Sequence, residues 1–254
     1  MREYFTPACW IAALLAARVC DAAPVDLWPA QAQALDAASL NGSISRIDAA
    51  SDGLPAELRP AADFEKVFLR IISGLPQAAW LPDARKFARL EGPVGDVART
   101  WLARVEMEEI DAALREYYAE NVRFPDSLEE AKLPDGLRMD PWGEKWVYRL
   151  SSPQGFSGMN GQRYELGPGR FPRLAALKEA IQGRRLAQPP LHPDWKIAER
   201  DIAGKKALEF RRGDAALPVA TLEEGGKVED CTLLFIGENW VLMAGADQLF
   251  ALPF

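Results

Sequence analysis

Four places in this sequence carry residue types that could do chemistry. The first is a run of carboxylates, Glu106, Glu108, Glu109 and Asp111. Paired carboxylates serve acid–base or glycosidic chemistry when their surroundings push their proton affinities apart. Here they share a segment with Val97, Trp101, Val105, Ile110, Leu114 and Tyr117, which trace one helical face. The carboxylates therefore read as that helix's wet side, with Asp111 and Arg115 as an i,i+4 pair. The second is Gly155-Phe156-Ser157-Gly158-Met159, which lacks the last glycine of G-x-S-x-G and precedes no helical pattern. The third is His192, the single histidine, set between Leu191 and Pro193. A hydrolytic triad or a zinc site needs partners that a lone histidine lacks. The fourth is Cys231, which opens an apolar stretch beside no activating base and reads as a small buried hydrophobe. No glycine-rich phosphate loop follows a strand pattern. The reading is non-enzymatic, with no cofactor and no metal. The alternative is an exported hydrolase whose carboxylate pair is dispersed in sequence, and a deep pocket holding such a pair would distinguish it.

Charge points away from nucleic acid and leaves one basic stretch to explain. The chain has 254 residues and a formal charge of −7. Between Arg163 and Arg212, twelve Lys or Arg stand against six Asp or Glu, a local +6 that leaves −13 for the remainder. Such a stretch is either a solvated face or a docking surface for an acidic partner. The candidate partner-binding residues are Arg173, Arg184 and Arg185.

The beginning reads as an export signal. Arg2 precedes the weakly apolar run Ala8 to Ala17, and small residues around Ala22 and Ala23 mark a cleavage site. Residues 1–22 are thus a signal peptide, and the mature chain is periplasmic or secreted. The run is about half of what a hydrocarbon core requires, so no transmembrane anchor is expected. Cys9 and Cys20 fall inside the signal, leaving Cys231 without a disulfide partner. Arg18 and Val19 stand where a lipid anchor on Cys20 would want small residues.

Periodicity divides the rest into three regions of an α+β protein. Residues 23–95 are Ala-rich and helical, with a stripe at Phe64, Val67, Phe68, Ile71 and Ile72 and a further helix over Ala84 to Leu90. Residues 96–188 begin with a long helix, Asp96 to Ala119, N-capped by Asp96. Phe124-Pro125 ends it. Ser127 and Glu130 are spaced as a capping box for a short helix. Asp140-Pro141-Trp142-Gly143 is a turn, followed by strands at Trp146 to Leu150 and Arg163 to Leu166. An amphipathic helix starts at Pro172 and runs through Leu174, Leu177 and Ile181. Residues 189–254 carry short strands at Ala207–Phe210, Leu217–Leu222, Thr232–Ile236, Trp240–Ala244 and Leu249–Leu252, a small β-roll.

Asp96 to Gly169 resembles the globular part of the type II secretion major pseudopilin family. The likeness is carried by Tyr117-Tyr118-Ala119-Glu120-Asn121 closing a long helix, then Phe124-Pro125 with Ser127-Leu128-Glu129-Glu130 behind it. Asp140-Pro141-Trp142-Gly143 follows, then an aromatic strand ending near Tyr148, and Tyr164-Glu165-Leu166-Gly167. The resemblance implies a long helix packed on a small antiparallel sheet, with Trp142 against Leu114 and Tyr117 or Tyr118. It covers under a third of the chain. The family's long apolar N-terminal helix has no counterpart, so pseudopilus assembly is not implied. The family's calcium loop carries carboxylates, whereas this chain has Gly167-Pro168-Gly169-Arg170, and no calcium is expected.

Lys205 to Phe254 has a fainter similarity to the periplasmic β-domains of secretion and pilus inner-membrane adaptors, which recognise secretins. Gly226-Lys227-Val228-Glu229-Asp230, Leu233 to Ile236, Trp240-Val241-Leu242 and Leu252-Pro253 carry it. Together the two resemblances imply an envelope protein that works by protein–protein interaction.

Overall fold

The computed structural model describes residues 26–29, 33–151, 162–182, 195–213 and 219–254. Its α-helices are α1 (Ala37–Ser51), α2 (Arg59–Ile72), α3 (Leu81–Phe87), α4 (Pro93–Asn121) and α5 (Leu177–Gln182). Its strands are β1 (Val147–Ser151), β2 (Arg163–Gly167), β3 (Trp195–Ile202), β4 (Lys205–Arg212), β5 (Ala220–Leu222), β6 (Lys227–Val228), β7 (Cys231–Ile236), β8 (Trp240–Ala244) and β9 (Leu249–Pro253). The chain is α+β, with small antiparallel sheets. The signal segment 1–22, Gly155 to Met159, Arg184, Arg185 and His192 lie outside the described residues.

Two compact units emerge, Met1–Leu75 with Pro189–Phe254, and Pro76–Gln188. The division falls after Leu75, not after Gly95, and the helices before it share a unit with the C-terminal strands. Trp28 shows why. Its ring is fully buried and stacks on Trp240 with centroids 6.1 Å apart, while its carbonyl accepts from the Ala251 N–H at 2.8 Å.

In that discontinuous unit α1 starts at the N-cap Asp36, whose Oδ1 accepts from the Ser39 N–H at 2.8 Å. α2 begins earlier than its stripe suggests, because Pro60 is pre-set for a first turn. Sheets β3-β4-β5 and β6-β7-β8-β9 enclose one core: Leu208 and Phe210 come from the first, Val228, Cys231, Leu233, Ile236, Val241, Met243 and Phe250 from the second. Burial pushes the Cys231 thiol up to about 12, so it packs as a hydrophobe. Strand β3 was not anticipated, since Lys196, Glu199, Arg200 and Asp201 break the apolar alternation. Pairing with β4 holds it, in unbroken register from Trp195↔Arg212 to Ile202↔Lys205. The hairpin closes through Ala203 and Gly204, both in the left-handed region (φ 55° and 83°), as a tight two-residue turn requires.

In the Pro76–Gln188 unit, α4 starts at Pro93 behind the N-cap Gly92, so Asp96 lies in the first turn and is not the cap. Gly95 is obligatory there: a Cβ would lie 2.0 Å from the Leu90 carbonyl oxygen. β1 pairs antiparallel with β2 from Val147↔Gly167 to Ser151↔Arg163. Ala103, Met107, Ile110 and Leu114 of α4 form a core with Ala131, Leu133, Leu137 and Trp146. Two expected helices are corrected. Ser127 to Glu130 forms turns closed by i→i+3 bonds, Glu130 N to Ser127 O and Ala131 N to Leu128 O. The helix expected from Pro172 begins only at Leu177, because the preceding residues run along α4, where Arg104 Nη1 donates to the Ala175 carbonyl at 2.6 Å.

Candidate functional site

The motif residues of the Pro76–Gln188 unit meet as a scaffold. Phe124 lies between Tyr118 and Tyr164, with both centroid distances 4.8 Å, and Tyr164 contacts Tyr148 at 5.9 Å. The Tyr148 hydroxyl donates to the Pro125 carbonyl at 2.8 Å, and burial pushes it up to about 12. A turn that had looked purely local thus ties the end of α4 to the hairpin. Leu166 packs against the same core, and Gly167 must be glycine because a Cβ would lie 2.4 Å from the Pro172 carbonyl oxygen.

The Asp140-Pro141-Trp142-Gly143 turn is a second clip. The Asp140 carboxylate is buried (4% exposed) and accepts three backbone N–H groups: Trp142 and Glu144 on Oδ1, both at 2.9 Å, and Gly169 on Oδ2 at 3.1 Å. Gly143 takes the left-handed conformation that closes the turn (φ 80°). Trp142 packs against the core cluster that contains Leu114, and its polar edge is held at the other end of α4. Its Nε1 donates to Asp96 at 2.8 Å, its ring meets Phe171 edge-on at 5.7 Å, and the Arg170 guanidinium sits 5.7 Å over its face. Trp146 is a buried member of the core cluster that includes Leu114, and Trp142, partly buried, packs against the same cluster.

Between α4, β2 and the Pro172–Glu179 segment lies an open groove of about 920 Å³. Met107, Glu108, Asp111, Ala112 and Arg115 recur along one side of α4, and Tyr164 and Leu166 face them from β2. Two of its carboxylates, Asp111 and Glu108, hold partners within it. Asp111 accepts the Tyr164 hydroxyl on Oδ1 and Arg115 Nε on Oδ2 at 2.8 Å, and Glu108 accepts the Lys178 N–H at 2.5 Å. Burial first, then the Asp111 contact, raises the Tyr164 hydroxyl above its ordinary range, so it stays a donor. Arg173 lines the groove from a turn and not from a helix. Of the three candidate arginines it is the one the structure describes.

The basic stretch 163–212 is shared by both units. Several of its cations hold carboxylates: Arg170 meets Asp96 and Glu144, and Arg200 and Arg211 both hold Glu209.

Two carboxyls show features that periodicity did not reveal. Glu106, read as part of a wet face, is half-buried, and desolvation with Glu109 nearby raises it to about 7, against the pull of Arg85. It is not a groove residue. Glu65 in α2 is 1% exposed, and burial holds it well above the carboxylate range. Among the described residues no cluster of three or more His, Cys, Asp or Glu could hold a metal ion, and no helix is long and apolar enough to cross a membrane. Compared with known proteins, the chain matches no family model, no curated sequence and no solved structure.

Proposed function

We propose that this chain is a non-enzymatic exported protein of the cell envelope, with a protein-interaction role related to type II secretion or type IV pilus-like machinery. The Pro76–Gln188 unit is the pseudopilin-like scaffold and its groove the docking site. The observation that carries this reading is the use made of the motif residues. Phe124, Pro125, Asp140, Trp142, Tyr164 and Gly167 are spent on holding one helix to one hairpin, while the groove beside them presents charged side chains and exposed Ala112. The hydrolase alternative would need a carboxyl of raised proton affinity in that groove, and Glu106 lies elsewhere.

The test is a photo-crosslinking amino acid at Ala112 in the full chain, recovered from envelope fractions and analysed by mass spectrometry. The expected outcome is a mature terminus near Ala23 and adducts to secretion or pilus components, weakened by Arg173→Glu. A chain found only in the cytosol with Met1 intact sinks the reading.

A further inference from the structure

Independently of that reading, and in the other unit, we propose that β3 is a strand-accepting edge. It takes one extended segment of another protein, acidic on one face, by antiparallel strand addition. Among the described residues β3 pairs with β4 alone, without proline and without a register shift. Natural edges are usually blunted by bulges, prolines, charged side chains or a cover; β3 carries of these only the charged side chains, which restrict what can pair with it and do not close it.

Which backbone groups β3 offers follows from its surroundings. The two-residue turn at Ala203 and Gly204 makes Ile202↔Lys205 a hydrogen-bonded pair, and such pairs recur at alternate positions, Arg200↔Ala207 and Ala198↔Glu209. A second observation gives the same parity: the Phe210 carbonyl accepts from the Val219 N–H at 2.8 Å, so Phe210 faces the β5 side and its β3 partner Ile197 is not bonded to it. Ile197, Glu199 and Asp201 therefore turn their N–H and C=O groups to the open edge. The side chains from Ala198 to Ile202 are exposed, Ile202 by 45%.

Charge selects the occupant. In a two-fold antiparallel pair, bonded and non-bonded positions alternate, so some residue must face its own copy. The registers with the longest overlap are centred on Ala198 and on Glu199. The first sets Lys196 against Arg200 twice, and the second sets Glu199 against Glu199. Like charges directly opposite are destabilising, so a second copy of this chain is rejected. A foreign strand with carboxylates at alternate positions meets Lys196 and Arg200 on one face instead. Arg200 is oriented for this by its 2.6 Å contact to Glu209, while more than half of its side chain stays exposed. On the other face the strand meets Trp195 and Ile197, which flank the roll's core.

The experiment uses the full chain and a fluorescein-labelled peptide, Thr-Glu-Val-Glu-Val-Glu-Thr, followed by anisotropy and by amide hydrogen exchange. The peptide should bind and slow exchange at Ile197, Glu199 and Asp201. Glu199→Pro removes an edge N–H without touching the β4 ladder, and should weaken binding by roughly tenfold while Glu199→Gln does not. A peptide with Lys for every Glu should bind roughly tenfold more weakly. Circular dichroism checks the fold of the proline variant; should that variant unfold, the wild-type exchange pattern alone decides. Three outcomes overturn the proposal: those amides already protected in the free chain, equal binding of both peptides, or self-association that buries β3.

Discussion

The hairpin region around Asp140 and the C-terminal roll are held together by different means. In the first, single polar groups reach across long stretches of chain: Asp140 to Gly169, Trp142 to Asp96, Arg104 to Ala175, Tyr148 to Pro125. In the second, Leu208, Phe210, Leu233, Val241 and Met243 fill one core between two sheets, and bulk decides. A polar clip fails when one atom changes its chemistry, because the donors left behind stay buried. An apolar core fails when volume is lost.

The largest expected effect tests the roll. Phe210→Ala leaves a cavity at a fully buried site and should cost about 3–5 kcal/mol in urea unfolding. A loss below about 1 kcal/mol would mean that the two sheets do not depend on a shared interior. Next comes the clip. Asp140→Asn keeps the shape but puts an N–H₂ where backbone donors converge, and should cost about 2–4 kcal/mol by the same measurement. If it proves neutral, the contrast between the two regions collapses.

A smaller effect sharpens the polar side. Glu106 keeps its proton in the native state up to about pH 7, whereas the unfolded chain releases it near 4.5. Between those values the native state binds more protons, so stability falls as pH rises. Glu106→Gln should therefore match wild type near pH 4 and exceed it by about 1–3 kcal/mol at pH 8, read from melting curves across the window. A constant gap at all pH values would remove titration as the cause.

What was legible in the sequence follows the same division. Apolar periodicity places α2, α4, β7, β8 and β9 within a few residues, since burial imposes it directly. The turn at Asp140 was visible as a turn, but its role was not: three donors that converge on one carboxylate come from Trp142, Glu144 and Gly169, and nothing local encodes the third. Strand β3 was missed because its stability comes from pairing and a tight turn, not from an apolar face. Glu106 and Glu65 escaped for a related reason. Their burial is set by tertiary packing that the period of one helix does not encode, and the charge of Asp140, remote in sequence, adds to the effect on Glu106. The groove was half legible: Tyr164, Leu166 and Arg173 were singled out, but Glu108 and Asp111 were assigned to solvent.

The contact between Trp28 and the last strand sets an order of events during synthesis. Trp28 is made early, yet its ring partner Trp240 and its hydrogen-bond donor Ala251 are among the last residues made. The Pro76–Gln188 unit is complete in sequence long before that and is free to fold on its own while the ribosome is still adding the roll. Until Trp240 and Ala251 are made, Trp28, fully buried in the folded chain, has neither its stacking partner nor its hydrogen-bond donor. While the last residues after Gln188 are being added, the chain carries a complete Pro76–Gln188 unit between two unfinished pieces of the other, a state in which a holding chaperone has something to bind.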